Sequence, residues 1–224
     1  MSKYVIYTCI VGGYDELLQP AVTDPDFDFV CFVGRGEKTA DRIGAWAVRE
    51  FDCGLEDLGI VSRYPKMHPH VLLPEYEASV WIDGNVRIMD GTIFEAVRAR
   101  MADGSVYAGV RHPSRDCLYA EAWMCRKMGR LSVAGYLRAC AFLVLHGQRR
   151  HGGLIENNLI FRRHNDPRVV RMDELWWSML FRVARRDQLS FPWCLGECGV
   201  PFIPFLPDGM NTRNCPGFRY LLHK

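Results

Sequence analysis

Residues 78–85 read ASVWIDGN, and this stretch indicates the fold class more directly than any other part of the chain. Its first five residues, Ala78–Ile82, form a short apolar run of the length typical of a buried strand. The run stops at Asp83, Gly84 and Asn85, residue types that favour turns. Because ligands of open α/β sheets bind beyond the carboxyl ends of the strands, we expect this turn to lie beside a ligand site.

Other strand-like runs lie on both sides of this stretch. The pattern predicts further strands at Tyr4–Val11, Phe27–Val33, Ala45–Arg49, Ser105–Val110 and Asn158–Phe161. Helical segments separate several of these runs. This alternation indicates an α/β fold in which helices flank a mostly parallel central sheet.

The predicted helices are bounded by capping, glycine and proline signals. Thr92 and Glu95 match a capping box at the start of one helix. Residues 116–147 are predicted to be helical, with a break near Gly129. Three prolines between residues 64 and 74 exclude one regular helix in that region.

The last part of the chain carries weaker signals. Asp173 is predicted to cap a helix that runs to Arg185. The segment that begins at Phe191 is rich in proline, glycine and cysteine, so we expect it to be irregular but packed. Because no repeat, linker or low-complexity segment divides the chain, residues 1–224 are expected to form a single domain.

The composition is that of an ordinary globular protein. Apolar residues make up 49% of the 224 residues and charged residues 24%, and the formal net charge is +2. This charge does not favour a nucleic-acid partner, which usually requires a basic face or tail. The nine cysteines are odd in number and scattered, which favours reduced thiols over a disulfide framework.

The sequence also predicts a cytoplasmic protein without a transmembrane segment. The N-terminal residues run directly into the first predicted strand and lack the layout of a signal peptide. The longest apolar run, Leu131–Leu145, is too short to span a bilayer and contains Arg138.

Asp83 and Asn85 are candidate metal ligands. They are oxygen donors separated by a single glycine, and two such oxygens suit a hard divalent cation. A cation that bridges phosphates would stabilise the charge that builds up on a nucleoside diphosphate leaving group. The alternative is that these residues form only a β-turn.

Two further groups of residues in the first half of the chain are candidates for nucleotide binding. Gly12 and Gly13 follow the first strand and would let a ligand approach the backbone, and Tyr14 offers a stacking face. A structural hairpin explains these glycines equally well. Arg63 and Lys66 are spaced to hold a diphosphate, and a solvated surface pair is the alternative.

The second half of the chain adds candidates for sugar binding and proton transfer. His112 follows a predicted strand and could bind a metal or a substrate, or only complete a turn. Two glycines precede Glu156 and Asn157, a layout that suits the hydroxyl groups of a sugar. Asp187 follows Arg186, which favours its ionised form. Asp187 could therefore accept a proton from an acceptor hydroxyl, form a hydrogen bond with the sugar, or only form a salt bridge at a helix end.

In order along the chain, seven segments resemble a glycosyltransferase-like family that includes plant turgor-regulation and mucilage-related proteins and small bacterial members. The segments are residues 6–15, 28–32, 63–66, 81–85, 112–121, 153–157 and 186–191. The resemblance implies a GT-A-like nucleotide-diphospho-sugar transferase fold, with residues 81–85 in the place of a D-x-D metal motif. Asn85 departs from that motif, in which a second aspartate is common, and this departure implies weaker metal binding or a cation held mostly by the nucleotide.

The resemblance implies a metal-dependent hexosyl- or uronosyltransferase of polysaccharide biosynthesis. Its donor is expected to be a nucleotide sugar, UDP-linked as in plant relatives, and its acceptor a saccharide. The implied nucleotide-binding residues are Thr8, Ile10, Tyr14, Asp15, Arg63 and Lys66. The implied ligands of Mn²⁺ or Mg²⁺ are Asp83 and Asn85. The implied substrate-binding residues are His112, Arg115, Glu121, Asn157 and Gln188, and the implied catalytic residues are Asp187 and Glu156.

Two other functions stay open at the level of sequence. One is a metal-dependent, ceramidase-like hydrolase, which would need three protein ligands around a bound water, and the histidines lack that spacing. The other is a non-catalytic module that binds nucleotide sugars.

Overall fold

The computed structural model describes residues 3–14 and 16–222. The strands are β1 (Tyr4–Cys9), β2 (Phe27–Val33), β3 (Arg42–Ile43), β4 (Trp46–Glu50), β5 (Ala78–Ile82), β6 (Val86–Ile88), β7 (Tyr107–Arg111), β8 (Ile155–Arg162) and β9 (Phe218–Tyr220). The helices are α1 (Leu58–Val61), α2 (Tyr64–Met67), α3 (Pro69–Leu72), α4 (Thr92–Ala102), α5 (Leu118–Lys127), α6 (Val133–Leu145), α7 (Pro167–Arg182) and α8 (Phe191–Glu197). A 3₁₀ turn, Asp187–Leu189, precedes α8.

Seven strands of the described chain form one sheet in the order β3-β4-β2-β1-β5-β8-β7. The pairs β1–β2, β1–β5 and β2–β4 are parallel, and β8 is antiparallel to both of its neighbours. Five of these strands therefore run in one direction, and β3 and β8 run in the other. The predicted α/β fold with a mostly parallel central sheet flanked by helices is confirmed.

Both faces of the sheet are covered, which explains why its strands consist of nearly continuous apolar runs. Successive residues of β1 point to opposite faces, so that Val5 and Tyr7 join one core and Ile6 joins the other. Trp176 of α7 belongs to the first core and Phe94 of α4 to the second. Helices thus bury both faces, and polar residues gather where the strands end.

The helix after β6 begins differently from the predicted capping box. Its N-cap is Gly91 and Thr92 lies inside it, so the predicted Thr92–Glu95 box does not form. Instead, the Asp90 carboxylate accepts a hydrogen bond of 2.9 Å from the Thr92 backbone N–H. The predicted break near Gly129 is confirmed, because Gly129 lies between α5 and α6 with a φ of +72°.

Helix α7 starts earlier than the sequence pattern predicted. Asp166 caps it by accepting a hydrogen bond of 2.9 Å from the Arg168 N–H, and Pro167 occupies its first turn. Asp173, the predicted cap, lies fully buried in the middle of the helix, 2.7 Å from Arg162 of β8. The prediction was wrong because an ion-pair partner on another element is invisible in a local pattern.

Two predictions for the last third of the chain are also corrected. The strand predicted at Asn158–Phe161 is longer, because β8 spans Ile155–Arg162 and all of its residues are buried. The first part of β8 was not predicted because Glu156, Asn157 and Asn158 interrupt the apolar run that is typical of a strand. The segment after Phe191 is not irregular throughout, since it forms α8 and then β9, which pairs with β6.

Two further findings concern the cysteines and the helices. The nine cysteines are free thiols, as their number and spacing predicted, and six of them are buried. Among the described residues, no helix combines the length and the apolar character that crossing a membrane requires.

Candidate functional site

A cleft of about 770 Å³ opens at the carboxyl ends of β1 and β5. In the sheet, β2 is the neighbour of β1 on one side, and β5 is its neighbour on the other side. This arrangement is the topological switch point at which α/β sheets bind ligands. The walls also include residues of α1, α2, α5, β8, the 3₁₀ turn and the C-terminal segment. The cleft is therefore the candidate functional site.

Lys66 and Asp187 form a buried ion pair inside the cleft. The Lys66 Nζ lies 3.1 Å from Asp187 Oδ2, and both side chains are 8% exposed. Arg63 lies 3.9 Å from the same carboxylate, and the Asn157 amide donates to it at 3.5 Å. Burial alone would raise the pKa of this carboxyl, but Lys66, Arg63 and Arg186 hold it well below the usual range. Asp187 is therefore ionised at neutral pH.

Lys66 is held in position from several directions. Its Nζ also lies 3.6 Å from Asp83, and 5.5 Å from the centroid of the Trp81 ring. Its backbone carbonyl accepts a hydrogen bond of 2.5 Å from Arg162, a fully buried side chain that also pairs with Asp173. A flexible side chain is thereby fixed in the cleft, so its positive charge is preorganised for an anionic ligand.

Asp83 reaches the cleft from the end of β5. The Trp81 indole N–H donates to its Oδ1 at 2.6 Å, and its side chain is 35% exposed. Asn85, predicted as the second metal ligand, does not line the cleft. It is buried, and its amide donates a hydrogen bond of 2.9 Å to the Leu221 carbonyl. The predicted Asp83–Asn85 pair therefore does not assemble, because the turn carries Asn85 toward the C-terminal segment.

The other carboxylates of the cleft near Asp83 are engaged by cations. Asp187 pairs with Lys66, and Glu156 accepts a hydrogen bond of 2.5 Å from Arg213. Among the described residues, no three Asp, Glu, His or Cys side chains lie close enough together to hold a metal ion unaided. Mg²⁺ often takes only one or two protein carboxylates together with substrate phosphates. Asp83 thus fits a cation shared with a bound nucleotide, and the residues present do not fit a preformed metal centre.

Glu156 of β8 is another buried carboxylate of the cleft. The guanidinium of its partner Arg213 lies 4.2 Å from the centroid of the Tyr220 ring. Burial raises the pKa of Glu156 above its usual value, and Arg213 offsets only part of that effect. Sequence reasoning missed Arg213 and Tyr220, because both come from a C-terminal segment without a motif that signals a site.

His112 and Arg115 shape the loop after β7. The His112 Nδ1 accepts hydrogen bonds from the backbone N–H groups of Ser114 and Arg115, at 3.2 and 3.0 Å. The Arg115 Nε in turn donates to the buried Glu121 at 2.6 Å. Burial, together with the nearby Arg115, lowers the pKa of His112 to about 4, so its ring is neutral at pH 7. His112 therefore completes a turn at the margin of the cleft.

The loop after β1 contributes exposed residues to the cleft. Gly12 and Gly13 have φ angles of +67° and +62°, which glycine adopts without strain. A Cβ at Gly12 would lie 2.8 Å from Leu58, and the Gly12 N–H donates to Glu37 at 2.8 Å. Tyr14 lines the cleft and is 67% exposed, so its ring is accessible for stacking on a base.

One predicted nucleotide-binding residue does not line the cleft, and another cannot be placed. Thr8 is 2% exposed and does not line it, because the residue still lies within β1. Asp15 lies outside the described residues. The predicted residues that do line the cleft are Ile10, Tyr14, Arg63, Lys66, Asp83, His112, Arg115, Glu121, Glu156, Asn157, Asp187 and Gln188.

A mostly parallel sheet with a charged cleft at its switch point places the chain among the α/β proteins whose ligand site lies at the carboxyl ends of the strands. The chain belongs to the TOD1/MUCI70 glycosyltransferase-like family. The model of this family, described as TOD1/MUCI70, glycosyltransferase-like domain, matches residues 1–197. The family resemblance predicted from the seven segments is therefore confirmed. A sequence comparison with curated proteins found no match.

Several solved structures are similar to this chain. Mouse xyloside xylosyltransferase 1, in its apo form, is 11% identical with a TM-score of 0.47, over 91% of this chain and 84% of that chain. The mannosyltransferase Ktr4p from S. cerevisiae in complex with GDP is 10% identical with a TM-score of 0.46, over 96% of this chain and 76% of that chain.

Proposed function

We propose that this protein is a glycosyltransferase that moves a sugar from a nucleotide-sugar donor, UDP-linked, to a hydroxyl of a saccharide acceptor. The observation that carries the proposal is the position of Lys66 between Asp83 and Asp187 in the cleft at the switch point. Membership of a glycosyltransferase-like family supports the same class of reaction.

The cations of the cleft suit the diphosphate of the donor. Arg63 and Lys66 lie on adjoining turns, and both approach Asp187, so a diphosphate could replace this carboxylate as their partner. Fixed positive charges stabilise a leaving group most strongly when they are already in place before the bond breaks. Mn²⁺ or Mg²⁺, shared between Asp83 and the phosphates, would add further neutralisation of the leaving group.

Asp187 and Glu156, two of the buried carboxylates of the cleft, differ in their surroundings, which suits them to different roles. The cations around Asp187 keep it ionised, which suits stabilisation of positive charge that develops on the sugar. The raised pKa of Glu156 makes it the stronger base of the two, which suits removal of a proton from the acceptor hydroxyl. Surroundings that separate the pKa values of two carboxyl groups in this way are typical of active sites in which the two groups have different roles.

Binding of UDP with and without Mn²⁺ tests the proposal. Titration of the unaltered protein is expected to show higher affinity for UDP with Mn²⁺, and Asp83→Ala is expected to lose that gain. Asp41→Ala is the matched control, because the Asp41 side chain is 96% exposed and does not line the cleft. Equal affinity with and without Mn²⁺ in all three proteins removes the metal from the proposal. An absence of UDP binding to the unaltered protein contradicts the UDP-linked donor.

No structural observation favours the ceramidase-like hydrolase, which requires three protein ligands around a metal-bound water. A non-catalytic module is distinguished by Asp187→Asn. Loss of sugar transfer with UDP binding retained supports an enzyme. A cytoplasmic location and a role in polysaccharide biosynthesis stay predictions.

A further inference from the structure

The α5–α6 hairpin, residues 118–151, exposes an apolar surface that the cleft does not use. Its large exposed apolar side chains are Trp123, Met128, Val133, Leu137, Val144 and Leu145. They are between 55% and 82% exposed. In the described chain, no other segment of this length exposes as many large apolar side chains. Contiguous exposed apolar surface on a folded protein marks a site of interaction.

The outer face of α6 is a continuous apolar stripe. Val133, Leu137 and Val144 are spaced so that they share one side of the helix, whereas Ala139 and Leu143 on the opposite side are buried. A surface helix normally presents charged and polar residues to water. A helix that is apolar on both sides therefore requires an apolar contact for its outer side as well.

Residues 118–151 contain basic residues but no exposed acidic one, although the exposed Asp116 just before them lies 2.9 Å from His151. The hairpin contains one of the 26 acidic residues of the chain, Glu121, which is buried and paired with Arg115. It contains six of the 28 Lys and Arg residues, namely Arg126, Lys127, Arg130, Arg138, Arg149 and Arg150. The remainder of the chain has more acidic than basic residues. The hairpin thus combines apolar side chains with a local excess of positive charge.

We propose that the α5–α6 hairpin docks on a membrane surface that contains anionic lipids. Such a surface accepts apolar side chains among its acyl chains while Lys and Arg contact its headgroups. A second copy of this chain suits the surface poorly, because a symmetric contact would oppose like charges without acidic partners. Helix α6 has 13 residues and a length of about 20 Å, so it lies in the membrane interface and does not span the hydrocarbon core.

Docking brings the mouth of the cleft close to the lipid. Arg130, between α5 and α6, and Glu121 of α5 both line the cleft. The acceptor sugar would then be carried by a molecule anchored in the membrane. This last step rests on the proposed glycosyl transfer, whereas docking itself does not.

Vesicle sedimentation with the full chain tests docking. The vesicles contain either phosphatidylcholine alone or an equal mixture of phosphatidylcholine and phosphatidylglycerol. We expect the unaltered protein to sediment with the mixed vesicles at least about tenfold more strongly, and high salt to release it. The double variants Leu137→Ser/Val144→Ser and Lys127→Glu/Arg149→Glu are each expected to weaken binding by about tenfold or more. Exposed residues outside the hairpin provide the controls Val71→Ser and Arg35→Glu, which should bind like the unaltered protein.

Three results would overturn docking. One is the absence of binding to mixed vesicles, and another is binding that survives both hairpin variants. The third is a lipid-independent dimer that Leu137→Ser dissociates in sedimentation velocity, because it would assign the stripe to a second copy. Titration of UDP into the same variants separates this proposal from the function of the cleft. Loss of vesicle binding with UDP affinity retained supports a docking surface distinct from the nucleotide site.

Discussion

At the scale of single residues, Lys66 is the central charge of the cleft, because both Asp83 and Asp187 lie close to its ammonium group. The Lys66 ammonium group lies 3.1 Å from Asp187 and 3.6 Å from Asp83, so it contacts two carboxylates of the cleft. A diphosphate bound to Lys66 and Arg63 would share these two cations with Asp187. Asp187 would then lie beside the bound donor, which would link donor binding to the proposed sugar transfer.

The pH dependence of sugar transfer tests the role of Glu156. Because a protonated carboxyl cannot accept a proton, kcat/KM is expected to rise as pH increases through the raised pKa of Glu156 and then to level off. The pKa of Asp187 is lowered and that of His112 is about 4, so neither group adds a further change near neutral pH.

Glu156→Gln is expected to abolish this rise and to lower kcat by about 10²-fold or more, since it removes the general base. The measurement is the pH profile of UDP release. The exposed Glu77 provides the control Glu77→Gln, which should reproduce the unaltered profile. An unchanged profile in Glu156→Gln would exclude Glu156 as the base.

At the scale of secondary-structure elements, one buried arginine connects three of them. Arg162 of β8 donates to Asp173 of α7 at 2.7 Å and to the Lys66 carbonyl of α2 at 2.5 Å. It also donates to the Tyr7 hydroxyl of β1 at 2.6 Å. The short helix α2 has only four residues, so contacts of this kind must hold it in place. Arg162 thus links the stability of the core to the position of Lys66.

Arg162→Met is expected to lower the free energy of unfolding by about 3 to 5 kcal/mol, because it leaves the buried Asp173 without a partner. The double variant Arg162→Met/Asp173→Leu is expected to regain part of this stability, since an apolar pair can replace a buried ion pair, whereas the Tyr7 hydroxyl and the Lys66 carbonyl still lack their donor. Its affinity for UDP should stay low, because the Lys66 carbonyl has lost its donor.

Urea unfolding and UDP titration measure these two effects separately. The exposed Arg168, which pairs with Asp166 at the surface end of α7, provides the control Arg168→Met, which should change both quantities little. Full recovery of UDP affinity in the double variant would show that Arg162 has no positioning role.

At the scale of the whole molecule, the cleft is assembled from distant parts of the chain. Its walls include residues from Cys9 near the N-terminus to Tyr220 near the C-terminus. Unfolding therefore destroys the site completely. A ligand that binds there should stabilise the entire fold and not only one loop.

A panel of nucleotide sugars with Mn²⁺ present tests this expectation by thermal unfolding. A ligand at a hundredfold over its Kd adds about 2.7 kcal/mol, which corresponds to a rise in Tm of roughly 5 to 10 °C for a chain of this size. We expect UDP-sugars to raise Tm and Lys66→Met to lose the effect. A panel in which GDP-sugars stabilise and UDP-sugars do not would reassign the donor.

The sequence alone determined the sheet, its flanking helices and many of the polar residues that line the cleft. These features could be predicted because apolar runs, glycine turns and the break at Gly129 depend on residues that are adjacent in the sequence. The same kind of local pattern predicted Asp83 at the end of β5 and Lys66 in the proline-rich region as candidate site residues. The family was accessible because its seven segments occur in order along the chain.

Only the tertiary structure decided which of these groups meet. Lys66 and Asp187 are separated by 121 positions and still form an ion pair. Arg213 joins Glu156 from a segment without a recognisable motif, and Asn85 turns away to bind the Leu221 carbonyl. The physical reason is that the partner of a side chain depends on how elements far apart in sequence pack together. This packing also sets the pKa and the orientation of the side chain, and no local sequence pattern contains it.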